Sequence, residues 1–216
     1  ITAVAEGTAI ITVTSEANNT IKKDISVTVT ANDNSDNQIA FYDFEDIEDN
    51  NVVDKWNNYD GILEGAEVID GVVGKALQFN KDSDNVTIAS PATLSQSWTL
   101  AMWVKKGDIK DLPASIMWDG KPFQNTDKQT ESIDIARDSA GNMGVHVKPG
   151  YLTVKKVLPK DEWVHLAWVN DKKTGLNVYV NGVSTGTNEW TKNNEFNAPL
   201  KVIGGRNYIG AIDEVK

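Results

Sequence analysis

Residues 161–183, Asp-Glu-Trp-Val-His-Leu-Ala-Trp-Val-Asn-Asp-Lys-Lys-Thr-Gly-Leu-Asn-Val-Tyr-Val-Asn-Gly-Val, decide the fold. In an extended chain Trp163, His165, Ala167 and Val169 share one face, and Val164, Leu166 and Trp168 share the other. Both faces are largely apolar, so the strand is expected to be covered on both sides. Lys172-Lys173-Thr174-Gly175 has no apolar residue and ends in glycine, which suits a hairpin loop. The next run alternates Leu176, Val178 and Val180 with Asn177, Tyr179 and Asn181. Asn181-Gly182 marks a further tight turn, because both residues tolerate positive φ. The stretch reads as an antiparallel strand pair in the middle of a sandwich.

Outward from this pair, short alternating segments recur at intervals of about ten residues with no helical period, the pattern of an all-β antiparallel sandwich. Strands are expected at Phe41–Glu45, Ile62–Gly65, Ala76–Phe79, Val86–Ile88, Trp98–Val104, Ser115–Trp118, Ser132–Ala136, Gly144–Val147 and Tyr151–Val157, with closing strands from Leu200 onward. Asp46–Tyr59, Asp119–Glu131 and Ser184–Asn197 read as polar loops. Trp98, Trp103, Trp163 and Trp168 fall on strands and are assigned to the core, as is His165 between Val164 and Leu166.

Several passages, in order, resemble the laminin G-like, concanavalin A-like jelly roll. Trp163-Val164-His165-Leu166-Ala167 with Tyr179-Val180-Asn181-Gly182 is similar to its central W-x-H-x-A and Y-V-N-G. Gly71 to Phe79 resembles its early G-x-x-G-x-A-L-x-F strand, and Trp98 to Lys105 its F-T-I-S-A-W-V-K strand. Leu200–Gly205 and Gly210–Val215 resemble its closing I-G-G and G-x-I-D-E-V. The resemblance runs from about Ile39 to Lys216. It implies a jelly-roll sandwich of the kind found in secreted bacterial proteins. It also implies a structural calcium ion where the first and last strands lie side by side. Asp43 and Glu45 on the first strand and Asp213 on the last would supply the hard oxygen ligands. The alternative is that these acids accept backbone hydrogen bonds or face water.

Residues 1–31 read as a separate unit of two β-branched runs, Ile10–Thr14 and Ile25–Thr30. Ile1 to Thr14 resembles the C-terminal part of a bacterial Ig-like domain of the second family, which implies a spacer. About thirty residues cannot bury a sandwich core, so the remainder is expected upstream of Ile1. Residues 32–38, Asn-Asp-Asn-Ser-Asp-Asn-Gln, read as a linker. Their Asn/Asp alternation hints at a calcium loop, but an EF-hand requires Gly at the sixth and Glu at the twelfth place, here Asn37 and Asp43. Residues 39–216 form the jelly-roll domain. The chain begins in mid-pattern and stops where the family's last strand normally continues, so it reads as a piece of a longer polypeptide.

The 216 residues carry a formal net charge of −10, which argues against nucleic acid and anionic lipid as partners. No apolar run is long enough to cross a bilayer. Cysteine is absent, which removes disulfides, cysteine nucleophiles and thiolate metal sites together. Catalysis finds little support. Retaining glycosidases need carboxylates about 5–5.5 Å apart, as positions i and i+2 of a strand provide. Glu131 and Asp134 are three apart and point to opposite faces; Asp43 and Glu45 share a face without a second acid pair. His146 and His165 have no acid or nucleophile nearby in sequence.

Sugar binding uses aromatic platforms on loops with polar groups beside them, since a ring face stacks on a sugar's C–H face while polar groups fix its orientation. Trp118, Phe123, Tyr151, Trp190 and Tyr208 are the candidate platforms, Trp190 foremost, with Arg137, Arg206 and His146 as polar partners. Each aromatic could instead cap an end of the sandwich. The sequence therefore reads as a non-catalytic carbohydrate-binding module of a larger secreted or cell-surface bacterial protein, with a glycan or polysaccharide as partner. A structural or adhesive module and a glycosidase domain are the rival readings.

Overall fold

The computed structural model describes residues 7–14, 22–29, 38–94, 97–121, 131–147, 150–189 and 200–216. The chain divides into two compact units, Ile1–Gln38 and Ile39–Lys216. In the first, strands β1 (Gly7–Thr14) and β2 (Lys22–Val29) pair antiparallel, Gly7 opposite Val29 and Thr14 opposite Lys22.

The second unit is an all-β sandwich, as the periodicity predicts. Its strands are β3 (Ile47–Glu48), β4 (Asn51–Val52), β5 (Gly61–Glu64), β6 (Glu67–Asp70), β7 (Lys75–Phe79), β8 (Asn85–Ile88), β9 (Trp98–Lys106), β10 (Ala114–Trp118), β11 (Ser132–Ala136), β12 (Asn142–Val147), β13 (Gly150–Val157), β14 (Trp163–Asp171), β15 (Gly175–Val180), β16 (Val183–Asn188), β17 (Val202–Gly204) and β18 (Gly210–Asp213). Among the described residues they form two antiparallel sheets. One has nine strands in the order β13-β12-β11-β10-β17-β8-β5-β4-β3, the other seven in the order β16-β15-β14-β9-β18-β7-β6. No described helix is long and apolar enough to cross a membrane.

The opening stretch supplies β14 and β15, the third and second strands from the β16 edge of the seven-stranded sheet. Val164, Leu166 and Trp168 of β14 face inward, opposite Val104, Met102 and Leu100 of β9, and all six are buried. Ile116, Ile133, Ile135, Met143 and Val145 of the nine-stranded sheet belong to the same core. Each such side chain contributes roughly 1.5–3 kcal/mol by leaving water, which makes this shared layer the main source of cohesion.

The other face of β14 departs from expectation. Trp163 and His165, with Trp103 of β9, stand on the outside of the seven-stranded sheet and are only half-buried. Trp103 meets His165 edge to face with centroids 5.2 Å apart, and the Lys105 ammonium lies 5.4 Å from the Trp163 ring. Alternation groups Trp163 and His165 on one face, but two apolar faces leave open which of them is inside, and the assignment of Trp103, Trp163 and His165 to the core is corrected here.

Three further differences concern short or exposed strands. The expected loop at Asp46–Tyr59 contains the β3–β4 hairpin, with Ile47 opposite Val52. The start of the expected Ser184–Asn197 loop is β16, paired to β15. Its sequence, VSTGTN, is almost wholly exposed and carries no apolar alternation, so the pairing alone defines it. The expected first strand at Phe41–Glu45 shrinks to a single bridge between Tyr42 and Val215. Phe44 there has a φ of 59°, which ends the extended run.

Candidate functional site

Strands β10 to β13 build a polar surface on the outside of the nine-stranded sheet. Along β11, Ile133 and Ile135 point into the core, so the period of two sends Ser132 and Asp134 outward. Cross-strand register then aligns one lateral row. Trp118 of β10 lies opposite Ser132, Ser132 opposite His146 of β12, and His146 opposite Tyr151 of β13. The adjacent row holds Ser115, Asp134, Gly144 and Thr153.

Asp134 is the centre of this surface and is 0% exposed. The Ser115 hydroxyl donates to its Oδ1 at 2.7 Å, and Arg137 Nη1 pairs with its Oδ2 at 3.2 Å. Gly144 makes room for that arginine, since a Cβ there would lie 2.9 Å from Arg137 Cγ. The Arg137 guanidinium in turn lies over the Tyr151 ring, 4.6 Å from its centroid. Tyr151 is 60% exposed and forms one rim of the surface.

The opposite rim has the same chemistry. Residues 204–207, Gly-Gly-Arg-Asn, all adopt positive φ, between 43° and 70°. Gly204 is required there because a Cβ would run into the Phe79 ring. This turn is tied to β10 by the Ser115 N–H donating to the Arg206 carbonyl at 3.2 Å, and by the Trp118 Nε1–H donating to the Gly204 carbonyl at 2.9 Å. The Arg206 guanidinium lies 5.3 Å from the Trp118 ring centroid, within cation–π range. Burial pulls the Arg206 pKa down, while Asp134 and Asp119 act to hold the charge.

Two more acids frame the surface. Asp119 is buried; its Oδ1 accepts the Lys121 N–H at 3.1 Å, and its Oδ2 accepts the Glu131 N–H at 3.2 Å. Its Oδ2 also lies 3.6 Å from Lys121 Nζ. Glu131 is buried as well. His146 sits among Arg137, Asp134, Arg206 and Asp119. Burial, reinforced by Arg137 and opposed by Asp134, holds its imidazole below the ordinary value of 6.5, so it is neutral at neutral pH. The Ser132 hydroxyl is fully buried in the same row and has no hydrogen-bond partner among the described residues.

Five expected residues therefore converge: Trp118, Tyr151, Arg137, Arg206 and His146. Tyr208 does not join them. It is 0% exposed, its hydroxyl donates to the Ala211 carbonyl at 2.8 Å, and its ring packs edge to face on Phe79 at 5.6 Å. No ring face remains for a sugar. Phe123 and Trp190 lie outside the described residues. Asp134, Asp119 and Glu131 were not among the expected binding residues. An acid between two isoleucines in a short strand was the available signal for Asp134.

The expected calcium ligands lie elsewhere, on the seven-stranded side. Asp213 lies opposite Trp103, and its Oδ2 accepts the N–H groups of Val72 at 2.8 Å and Val73 at 3.0 Å. Glu45 Oε1 accepts the Lys75 N–H at 2.7 Å. Asp43 accepts the Glu45 N–H at 3.2 Å and lies 3.5 Å from Lys55 Nζ. Among the described residues no three acidic or histidine side chains are grouped to hold a metal ion. Of these three acids, only Asp213 has a buried oxygen, Oδ1, with no hydrogen-bond partner among the described residues.

Similar proteins share the architecture. Domain 4 of AbnA, a GH43 extracellular arabinanase from Geobacillus stearothermophilus solved with arabinotriose, is 20% identical; the match covers 82% of this chain and 89% of that one, with a TM-score of 0.62. The binding domain of Paraclostridial Mosquitocidal Protein 1 is 17% identical over 83% of this chain and 48% of its own, with a TM-score of 0.57. Trypanosoma rangeli sialidase, in complex with the inhibitor DANA, is 12% identical over 82% of this chain and 29% of its own, also with a TM-score of 0.57. This chain thus spans less than half the length of the last two. At these identities the likeness concerns the fold. No curated protein matches the sequence. A family profile does match over residues 80–216, and the chain belongs to the concanavalin A-like lectin/glucanases superfamily.

Proposed function

We propose that this chain is a non-catalytic carbohydrate-binding module with its site on the outer face of strands β10 to β13. One observation carries the reading: two arginine–aromatic pairs, Arg206 on Trp118 and Arg137 on Tyr151, flank the fully buried Asp134. A buried ion-pair network is a weak way to stabilise a sheet face, because desolvation of the charges offsets their attraction, and apolar residues would serve as well. Its presence beside exposed aromatic surface fits recognition of hydroxyl groups. Donors (Arg137, Arg206) and acceptors (Asp134, Asp119) stand side by side there, and a sugar hydroxyl uses both.

The solved neighbours support a binding module, since they include a domain in complex with arabinotriose and a toxin binding domain. Such a module holds an attached enzyme or cell near a glycan and raises its effective concentration there. In this proposal residues 1–31 are part of an Ig-like spacer, and the polypeptide works outside the cell or on its surface. Calcium, if bound, would use Asp213 Oδ1.

A glycan-array screen of the 216-residue chain, with calcium and with EDTA, tests the reading. Retention of one sugar class that Trp118→Ala abolishes without unfolding supports it. A blank array from folded protein favours the structural or adhesive alternative. A lowered melting temperature in EDTA that Asp213→Asn reproduces supports the calcium proposal; identical melting in both buffers removes it.

A further inference from the structure

Resting on the carbohydrate-binding reading, we infer that the site takes a neutral, linear oligosaccharide lying across the strands, with Trp118 and Tyr151 as its end platforms. Geometry gives the direction. Trp118, Ser132, His146 and Tyr151 occupy one lateral row on four consecutive strands. Three inter-strand steps of about 4.8 Å separate the two aromatic positions by roughly 14 Å at the backbone. That distance exceeds a single sugar ring and suits several linked units running perpendicular to β10 to β13.

Charge gives the class. Arg137 is neutralised by Asp134 at 3.2 Å, and Lys121 stands 3.6 Å from Asp119. Arg206 sits in the fields of the same two acids. Two of the three cations are thus paired to acids, and the chain's net charge of −10 opposes an anionic polymer as a whole. The floor offers hydroxyl chemistry instead. Ser132 Oγ is fully buried between the two platforms without a hydrogen-bond partner among the described residues, and buried polar atoms seldom go unmatched. A ligand hydroxyl meets that need without bringing charge.

Isothermal titration of the full chain decides the matter. The probes are arabino-, xylo-, cello- and manno-oligosaccharides from mono- to hexasaccharide, together with oligogalacturonates. At least one neutral ladder is expected to gain about tenfold in affinity from mono- to trisaccharide. Oligogalacturonates should bind at least about tenfold more weakly than that trisaccharide. Tyr151→Ala, at an exposed position, should erase the gain with length and leave the circular dichroism unchanged. A monosaccharide that binds as tightly as its trisaccharide overturns the inference while the module reading stands. So does an oligogalacturonate that outcompetes every neutral ladder, or a length gain that survives Tyr151→Ala. Silence across the whole panel overturns both.

Discussion

Asp134 and Asp213 are both fully buried carboxylates on the outer faces of their sheets, yet they are satisfied in different ways. Asp134, on the nine-stranded sheet, is held by side chains: the Ser115 hydroxyl and the Arg137 guanidinium. Asp213, on the seven-stranded sheet, is held by backbone N–H groups of Val72 and Val73. Backbone donors fix a turn and cannot be redirected without moving the chain. Side-chain donors can be shared with a ligand. The surroundings follow the same division. Asp134 lies amid arginines stacked on aromatic rings, whereas beside Asp213 the aromatic Trp103 packs on His165. The difference separates an acid that anchors a recognition surface from one that pins the 71–75 turn to β18.

The largest expected effect is on Asp134 itself. Asp134→Ala leaves Arg137 buried without its partner and should cost about 3–5 kcal/mol in urea unfolding. A loss under about 1 kcal/mol would mean the network is not a buried one. Next comes Trp118→Ala, expected to weaken glycan binding by at least about 2 kcal/mol, as removal of a tryptophan hot spot does. Trp103→Ala, on the other face, should leave binding unchanged; equal losses from both would erase the distinction between the faces.

A pH profile sharpens it further. The His146 pKa is depressed by burial and by Arg137, so its contribution is present above the unfolded value of 6.5 and is lost as pH falls through the lower folded value. Glycan binding should be level at neutral pH and decline on the acid side. His146→Gln should flatten that decline. His165, also depressed by burial, lies on the other sheet, and His165→Gln should leave the binding profile as it is. The smallest effect belongs to Asp213→Asn. Burial raises the Asp213 pKa despite the two N–H donors, so the stability tied to its protonated form is lost as pH rises through the folded value. The amide keeps an acceptor for those donors, and in EDTA at neutral pH its unfolding free energy should stay within about 0.5 kcal/mol of wild type.

Much of the fold could be read from alternation. Strand positions and shared faces followed from residues such as Ile133 and Ile135, and the order of the closing segments carried the family resemblance. Alternation is symmetric, however. It put Trp163 and His165 on a common face, and the inward side was decided by which partner sheet covers it. Strand β16 escaped notice because an exposed edge strand needs no apolar side chain. At the site, five of eight expected residues converge because they were chosen as scarce polar groups and loop-side aromatics. Tyr208 misled for a physical reason: a tyrosine in a polar turn can still fold its ring inward when carbonyls, here that of Ala211, await its hydroxyl. Asp134 was passed over because a search for paired catalytic acids rejects a lone one, while its arginine partners come from a distant turn and from the end of its own strand.

The central claim, that ligand binds over β10 to β13, has a direct test. Indole N–H resonances of the seven tryptophans can be followed by NMR while the glycan selected by the array is titrated in. The account predicts that the Trp118 signal shifts, because its N–H is committed to the Gly204 carbonyl beside Arg206, while those of Trp103 and Trp163 stay in place. Movement of the Trp103 and Trp163 signals with Trp118 silent would put the ligand on the other sheet and contradict it.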